Sequence, residues 1–470
     1  MSMKREHGEH QPGIKWGPFT ARIPFIHTGV EWPEFFQGIL VAAATGLALV
    51  PLLTGPMFGL TFDEAVIMSM ISSLLISAGP LLFGEPFAAG WVTPALPLVL
   101  NIVLTDTYPT PTERFQVMTA LSIWFAMLLL VLGITGLGKK IVDWMPLTLK
   151  GAIIMGAAIA AIKRVFVDEG SANINNMPIA MTVAIAVCLL LAFSIPIARM
   201  KLNNPWLAKI ASLGLLPGFM LAGIVGVAVG EMQYVVEGES IIKGGVMNPV
   251  PVFLSLFEKV SPFSIGFPPI SVMLNPNIIG LAFVTYIILF GDIVTGIEIL
   301  KGAMPSREDE KVDFNSTRTH ISTGIRNVIM SLFAPFFPTQ GSLWTGVHVI
   351  IVKRWAEGRD QMDSLFSGIS SYYFFGVPIL FLVYPITTGL SPMLPIALSL
   401  TLVLTGFACA YVAMSMPKNE TERGVVLLGA TALAFLDPAP GLVVAVLTVF
   451  LLLGFKDPEP IPEPPESLAD

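Results

Sequence analysis

Runs of about 20 apolar residues, the length a helix needs to span a hydrocarbon core roughly 30 Å thick, recur along almost the whole chain. They fall near 35–54, 64–83, 115–138, 146–167, 177–198, 210–230, 276–300, 319–337, 365–386, 390–415, 424–436 and 438–455. Two shorter apolar segments, near 87–103 and 343–356, follow interruptions and read as half-spans. Together these predict an all-α polytopic membrane protein of about 14 transmembrane segments. The interrupted segments are third and tenth in order. Two seven-helix halves would each carry a break at the third element, so the pattern predicts a 7+7 inverted repeat. Each of its two half-helices would be preceded by a short extended segment that meets its counterpart near the bilayer midplane.

The second interruption, Phe333-Ala-Pro-Phe-Phe-Pro-Thr-Gln-Gly-Ser-Leu-Trp-Thr-Gly-Val347, places two prolines and a polar Thr-Gln-Gly-Ser knot inside apolar sequence. Non-helical backbone survives at membrane depth only when it is buried in protein or lines a cavity, because hydrocarbon offers no partner to free N–H and C=O groups. A helix restarting at Ser342 would present free N–H groups and a positive dipole end, which suits an anion or a carbonyl-bearing solute. Gly341 would allow close backbone approach, and Thr339, Gln340 and Ser342 would supply donors and acceptors. The same side chains would equally serve to satisfy the break itself. The earlier interruption, Phe83-Gly-Glu-Pro-Phe-Ala-Ala-Gly-Trp-Val-Thr-Pro94, carries an acid, Glu85, and an aromatic, Phe87, that would either stack on a planar solute or pack in the core.

Composition strengthens the membrane assignment. Apolar residues make up 54% of the chain and charged residues only 13%, about half the charged fraction of an ordinary soluble domain. The net charge of −7 says little about partners, since acidic residues concentrate in the Pro/Glu tail and one long loop. No nucleic-acid footprint is present. Assigning alternate loops puts Lys139, Lys140, Arg199, Lys201, Lys209, Lys301, Arg307, Lys311, Lys353, Arg354, Lys418 and Arg423 on the side of the N-terminus. The opposite side holds Arg114, Lys163, Arg164, Lys243 and Lys259. By the positive-inside rule both termini are cytoplasmic. The N-terminus lacks the charged and apolar blocks of a cleaved signal peptide. Cys188 and Cys409 sit in apolar runs without metal-ligand or CxxC spacing, so neither a disulfide framework nor a metal site is expected.

Charges inside apolar helices select candidates for chemistry. Asp292, in Leu289-Phe-Gly-Asp-Ile-Val-Thr-Gly-Ile-Glu298, lies deep in a run beginning near 276. An ionisable group there costs a few kcal/mol on insertion scales and should face a cavity or a partner. Asp292, Glu298 and Glu85 are the candidates for coupling to a proton or to sodium; for each, a purely structural or interfacial role is the alternative. Lys150 and Arg326 are read as snorkelling charges, and His348 as an interior or interfacial histidine. No hydrolase triad, HExxH, P-loop or dinucleotide fingerprint occurs, so an enzyme is not expected and no cofactor is implied.

Several motifs resemble the nucleobase/ascorbate transporter family, typified by bacterial uracil permease, over nearly the whole length. They are Phe36-Gln37 through Thr45-Gly-Leu-Ala-Leu-Val-Pro-Leu-Leu-Thr-Gly55, Gly84 to Pro94, Met145-Pro-Leu-Thr-Leu-Lys-Gly151, Phe290-Gly-Asp-Ile-Val-Thr-Gly296, Gly324-Ile-Arg-Asn327 and Thr345-Gly-Val347 with Lys353-Arg354. The resemblance implies a core domain from 33–140 and 276–386, and a gate domain from 141–232 and 387–455. The remaining parts are a cytoplasmic N-terminus (1–32), an extracytoplasmic loop (233–275) and a disordered cytoplasmic tail (456–470). It also implies a substrate held between the two breaks, lined by Ala44, Thr45, Phe87, Asp292, Gly296 and Leu343, with elevator-type alternating access. Asp292 takes the place of the family's base-binding acid. Leu343 and Trp344 stand where the family has an acid or glutamine and then an asparagine. The implied function is secondary active, ion-coupled transport of a small polar solute, most simply a uracil- or xanthine-like nucleobase, in a bacterial cytoplasmic membrane. A small organic or inorganic anion, or passive channel flux, is the alternative. A homodimer is left open.

Overall fold

The computed structural model describes residues 5–454 apart from 48–49, 93–94, 96–98, 100–101, 104–105, 170–171, 238, 336–339, 374–379 and 437. The side chains of a few further helical residues, Ala44 and Thr45 among them, also lie outside the described set.

Helices dominate, and local chemistry sets their starts. α1 (Phe62–Leu81) and α2 (Pro111–Ile134) each open on a capping box. In the first, the Thr61 hydroxyl accepts from the Glu64 N–H at 3.3 Å while the Glu64 carboxylate accepts from the Thr61 N–H at 2.8 Å, satisfying two donors that a helix start leaves free. α3 (Leu147–Phe166), α4 (Pro178–Phe193), α5 (Leu216–Ala228), α6 (Pro249–Val260), α7 (Pro276–Ala303) and α8 (Ser316–Phe333) follow. Four of these six carry proline in their first two positions, where a missing N–H costs nothing. The chain continues through α9 (Thr345–Ala356), α10 (Leu365–Tyr373), α11 (Leu394–Met414), α12 (Glu420–Phe435) and α13 (Pro438–Leu453).

Among the described residues, four helices are long and apolar enough to cross a membrane, and six if each of two bent pairs counts as one span. The bends are 64° between α4 and Ile195–Asn203 and 83° between Pro205–Ser212 and α5. The chain is an integral membrane protein. The window at 35–54 is divided into Trp32–Gln37, a π turn at Gly38–Ala42, Ala43–Gly46 and Val50–Leu53. The loop at 233–275 contains α6, which is tied to α1 by Lys259 Nζ and the Ser255 hydroxyl, at 2.7 and 2.6 Å from the Glu64 carboxylate. The helices form two packed sets: α1, α2, α7, α8, α9 and α10, and α3, α4, α5, α11, α12 and α13. They meet where α7 and α9 touch α11 and α3.

The N-terminal segment is bolted to the first set. Its strand β1 (Glu9–His10) pairs in parallel with Glu310–Lys311, and the hairpin β2 (Ile14–Trp16) with β3 (Phe19–Ala21) covers the end of α1. There the Arg22 N–H and the Trp16 indole donate to the Leu81 and Leu82 carbonyls, both at 2.7 Å. The Arg5 guanidinium is buried and donates to Asp309 Oδ2 at 2.6 Å, Gln11 Oε1 at 2.9 Å and the Asp363 carbonyl at 2.9 Å. Arg307 grips the same Asp309 carboxylate with two bonds, at 2.7 and 3.0 Å.

Arg307's hydrogen bonds, and secondarily Arg5, hold the Asp309 carboxyl down from its ordinary 3.8 to about 2. A depressed acid contributes stability above its unfolded value and loses it as pH falls through the folded one, so the clasp should weaken between pH 4 and 2. Arg5→Ala removes charge-assisted hydrogen bonds to Asp309 and the Asp363 carbonyl while Arg307 still holds Asp309, at a cost of about 1.5–3 kcal/mol. Amide exchange across 8–29 should accelerate by roughly tenfold or more in that variant while α12 keeps its wild-type rate. Unchanged exchange in 8–29 would show that Arg5 is dispensable.

Candidate functional site

α1 ends at Leu81 with Pro80 inside its last turn. Gly84 then takes a φ of +70° with the Thr20 carbonyl 2.6 Å from where a Cβ would sit, so both conformation and space demand glycine. The chain beyond is extended, and it pairs with the second break in antiparallel fashion. Trp91 bridges to Gln340, the Gly341 N–H donates to the Gly90 carbonyl at 2.7 Å, and the Trp344 N–H donates to the Ala88 carbonyl at 2.6 Å. Between these two bonds the first break has one residue, Ala89, and the second has two, Ser342 and Leu343, the two-against-one count of a β-bulge. A Cβ on Gly90 would lie 2.7 Å from Trp344 Cβ, and one on Gly341 would lie 2.9 Å from the Gly90 carbonyl. Gly341 thus allows one break to approach the other.

The outer side of the crossing is satisfied by helix side chains. Asn327 of α8 behaves as a third strand: its Oδ1 accepts from the Gln340 N–H at 3.0 Å and its Nδ2 donates to the Gln340 carbonyl at 2.9 Å. Arg326, instead of snorkelling, is buried and donates to the Gly341 carbonyl and the Thr323 hydroxyl, each at 3.0 Å. The Gln340 carboxamide and the Trp91 indole both donate to the Ser72 hydroxyl at 2.9 Å. Ser72 is near the middle of the 20-residue α1, about 15 Å from either end at 1.5 Å per residue. The crossing therefore lies at mid-depth.

The inner side is formed by α7 and α9. Phe87 and Leu343 converge on Gly296, where a Cβ would meet the Phe87 ring at 2.9 Å and Leu343 Cδ1 at 3.3 Å. His348, in the first turn of α9, stands edge-on to Phe87 with centroids 5.8 Å apart and accepts the Ala88 N–H at 3.2 Å. Asp292, one turn before Gly296, is half-buried, and among the described residues no hydrogen bond or ion pair reaches it. The Ser342 hydroxyl and His348 Nε2 are buried without a hydrogen-bond partner among the described residues. α11 closes this face: the Thr405 hydroxyl accepts from the Gly346 N–H at 3.2 Å, and Cys409 lies beside Thr345 and near Asp292.

The other sequence candidates are distributed differently. Glu85 is buried in an ion pair with Arg318 at 3.3 Å and accepts from the Thr319 hydroxyl at 2.5 Å. Glu298 pairs with Lys301 at 2.9 Å on the surface. Thr339 lies outside the described residues, as do the side chains of Ala44 and Thr45. Three residues of the crossing escaped the sequence reading as site or framework: Asn327, Arg326 and His348. A cavity of about 250 Å³ between Leu47, Val50, Phe62 and Thr387 is lined by none of the crossing residues.

The arrangement defines a class: an integral membrane protein whose discontinuous helices cross at mid-depth near a carboxyl group that has no partner among the described residues. No protein-family description and no curated protein matches the chain. Among solved structures it is similar to the transmembrane domain of a cyanobacterium bicarbonate transporter, BicA, at 14% identity and a TM-score of 0.48, covering 88% of this chain and 97% of that one. It is similar to SLC26A9 at 18% identity and 0.47, covering 90% of this chain and 65% of that one. It is also similar to murine Slc26a9, an anion transporter in the inward-facing state, at 17% identity and 0.47, covering 91% and 69%. Likeness at this level does not bear on the solute.

Asn327→Ala leaves a buried N–H and a buried C=O of Gln340 unmatched, at about 1–3 kcal/mol each. The thermal midpoint of the purified protein should fall clearly for Asn327→Ala and for Asn327→Asp, whose second carboxylate oxygen would face the Gln340 carbonyl. Equal midpoints for both variants and wild type would contradict the role of Asn327 as a third strand.

Proposed function

We propose that the chain is a secondary transporter of a small polar solute held where the two breaks cross. The observation that carries this is Asp292, a half-buried acid one turn before Gly296 on α7, without a hydrogen-bond or ion-pair partner among the described residues. Such a group is costly in a membrane unless it meets a solute or a coupling ion. Phe87 offers a planar face, the α9 terminus offers N–H donors to a carbonyl, and Asp292 accepts from a ring N–H or carries a proton. A uracil- or xanthine-like nucleobase presents all three complements, so it is the solute this geometry supports best, with a proton or sodium as the coupling ion. None of the steps involves covalent chemistry.

Alternating access then consists of the first helix set moving as a core against the second as a gate. α11 must leave the α9 terminus, releasing the Gly346 N–H from Thr405. The implied setting is a bacterial cytoplasmic membrane with both termini inside, and pairing of gate domains would give a dimer.

A second reading, carriage of a small anion, is favoured by one observation: the buried Arg326 guanidinium beside the second break has an Nε without a partner among the described residues. An anion held by Arg326 and the α9 terminus would not need a carboxyl group nearby. Uptake into proteoliposomes by wild type and Asp292→Asn separates the two. Labelled uracil, xanthine, bicarbonate and sulfate are supplied with and without an inward proton gradient. Losing a hydrogen bond to a charged group costs about 1.5–3 kcal/mol, so nucleobase uptake should fall roughly 10- to 100-fold in Asp292→Asn. Undiminished nucleobase uptake would contradict the first reading, and anion uptake that survives the substitution would establish the second.

A further inference from the structure

We propose that His348 is a positioning residue of the crossing. Its Nδ1 fixes the first break by taking the Ala88 N–H, and that bond makes Nε2–H an oriented donor at the wall formed by Phe87 and Gly296. The first half stands on geometry alone, and the second rests on the solute reading above for what the donor meets.

Ala88 is held on both sides by the start of α9. Its carbonyl accepts from the Trp344 N–H at 2.6 Å and its N–H donates to His348 Nδ1 at 3.2 Å. Trp344 and His348 are themselves joined by the helical bond from the His348 N–H to the Trp344 carbonyl at 2.9 Å, so one turn of helix grips one residue of the break. A neutral imidazole has one acceptor nitrogen and one donor. With Nδ1 accepting, the hydrogen must be on Nε2. The imidazolium would set two donors against each other at Ala88, so this geometry requires the neutral ring.

Nε2 is fully buried and makes no hydrogen bond of good geometry among the described residues; the Gly296 carbonyl is the acceptor on its side. The ring edge meets Phe87 at 5.8 Å and 70°, and Phe87 in turn packs on Gly296. The imidazole thus sets the aromatic wall and directs a donor along it, toward a carbonyl or an anionic oxygen of a ligand.

The test uses full-length protein in lipid nanodiscs. The chain has 5 histidines, so ¹⁵N-histidine NMR of wild type minus His348→Asn isolates this ring. A neutral Nε2–H tautomer is expected at pH 7, and an Nδ1–H tautomer or an imidazolium overturns the proposal. In parallel, amide exchange is followed across 84–92. Asparagine places an acceptor where Nδ1 stands, whereas leucine fills space without one. Exchange should rise about tenfold or more in His348→Leu and stay within about threefold of wild type in His348→Asn. Equal exchange in wild type and His348→Leu, or no rescue by asparagine, overturns the positioning role. If His348→Leu fails to fold, the tautomer and the His348→Asn exchange rate still decide. For the donor, labelled uracil and bicarbonate are the probes: in His348→Asn the KM of whichever is carried should rise roughly tenfold with Vmax retained, and an unchanged KM removes the donor role. Should wild type carry neither, the transport reading fails while tautomer and exchange still judge the positioning of the first break.

Discussion

Unpaired backbone groups are what hydrocarbon tolerates least, and that constraint organises the centre of this molecule. Two chain segments leave helical geometry at mid-depth, and each supplies the other's missing hydrogen bonds. The Gly90 and Ala88 carbonyls receive the Gly341 and Trp344 N–H groups, and Asn327 completes Gln340 as a neighbouring strand would. Such pairing needs the backbones in contact, which is why Gly90 and Gly341 face each other with no room for a methyl group. In a low-dielectric interior each bond is electrostatically strong and each omission costly, so the crossing is rigid by necessity.

Rigidity on one side allows exposure of polar groups on the other. On the face toward α8 and α1 the backbone groups of Gln340 and Gly341 are met by Asn327 and Arg326, and the Gln340 carboxamide by Ser72. The face toward α7 and α11 keeps an unpaired Asp292, an unmatched Ser342 hydroxyl and an unmatched His348 nitrogen among the described residues. On the proposed reading, this second face is the one that meets the solute. α11 covers it through the Thr405 hydroxyl at Gly346, a contact between the two helix sets that motion can undo. The N-terminal clasp around Arg5 and Asp309 acts at the far end of the first set, tying its loops into one body.

The sequence made the breaks legible because clustered proline, glycine and polar residues cannot carry a regular helix through an apolar run. Asp292 was legible for a related reason: a charge deep in an apolar helix stands out. The framework was not. Arg326 reads as a snorkelling charge because its partner, the Gly341 carbonyl, is a backbone group that no pattern announces. Gln340 reads as a ligand donor, whereas its carboxamide reaches Ser72, 268 residues away in the chain. His348 follows a half-helix start at a spacing common to many interior histidines, and only its two unequal nitrogens distinguish it. The 64° and 83° bends and the π turn inside the first window were not legible either, because an apolar window reports length and composition and carries no sign of a bend.

The central claim is that the two paired breaks form one solute site. Hydrogen exchange of the whole protein in nanodiscs, with and without a solute that it carries, tests this most directly. Bound solute should slow exchange in 87–91 and 340–348 together, while α12 and α13 keep their rates. Protection confined to one break, or located in another part of the chain with both breaks unchanged, would contradict the account.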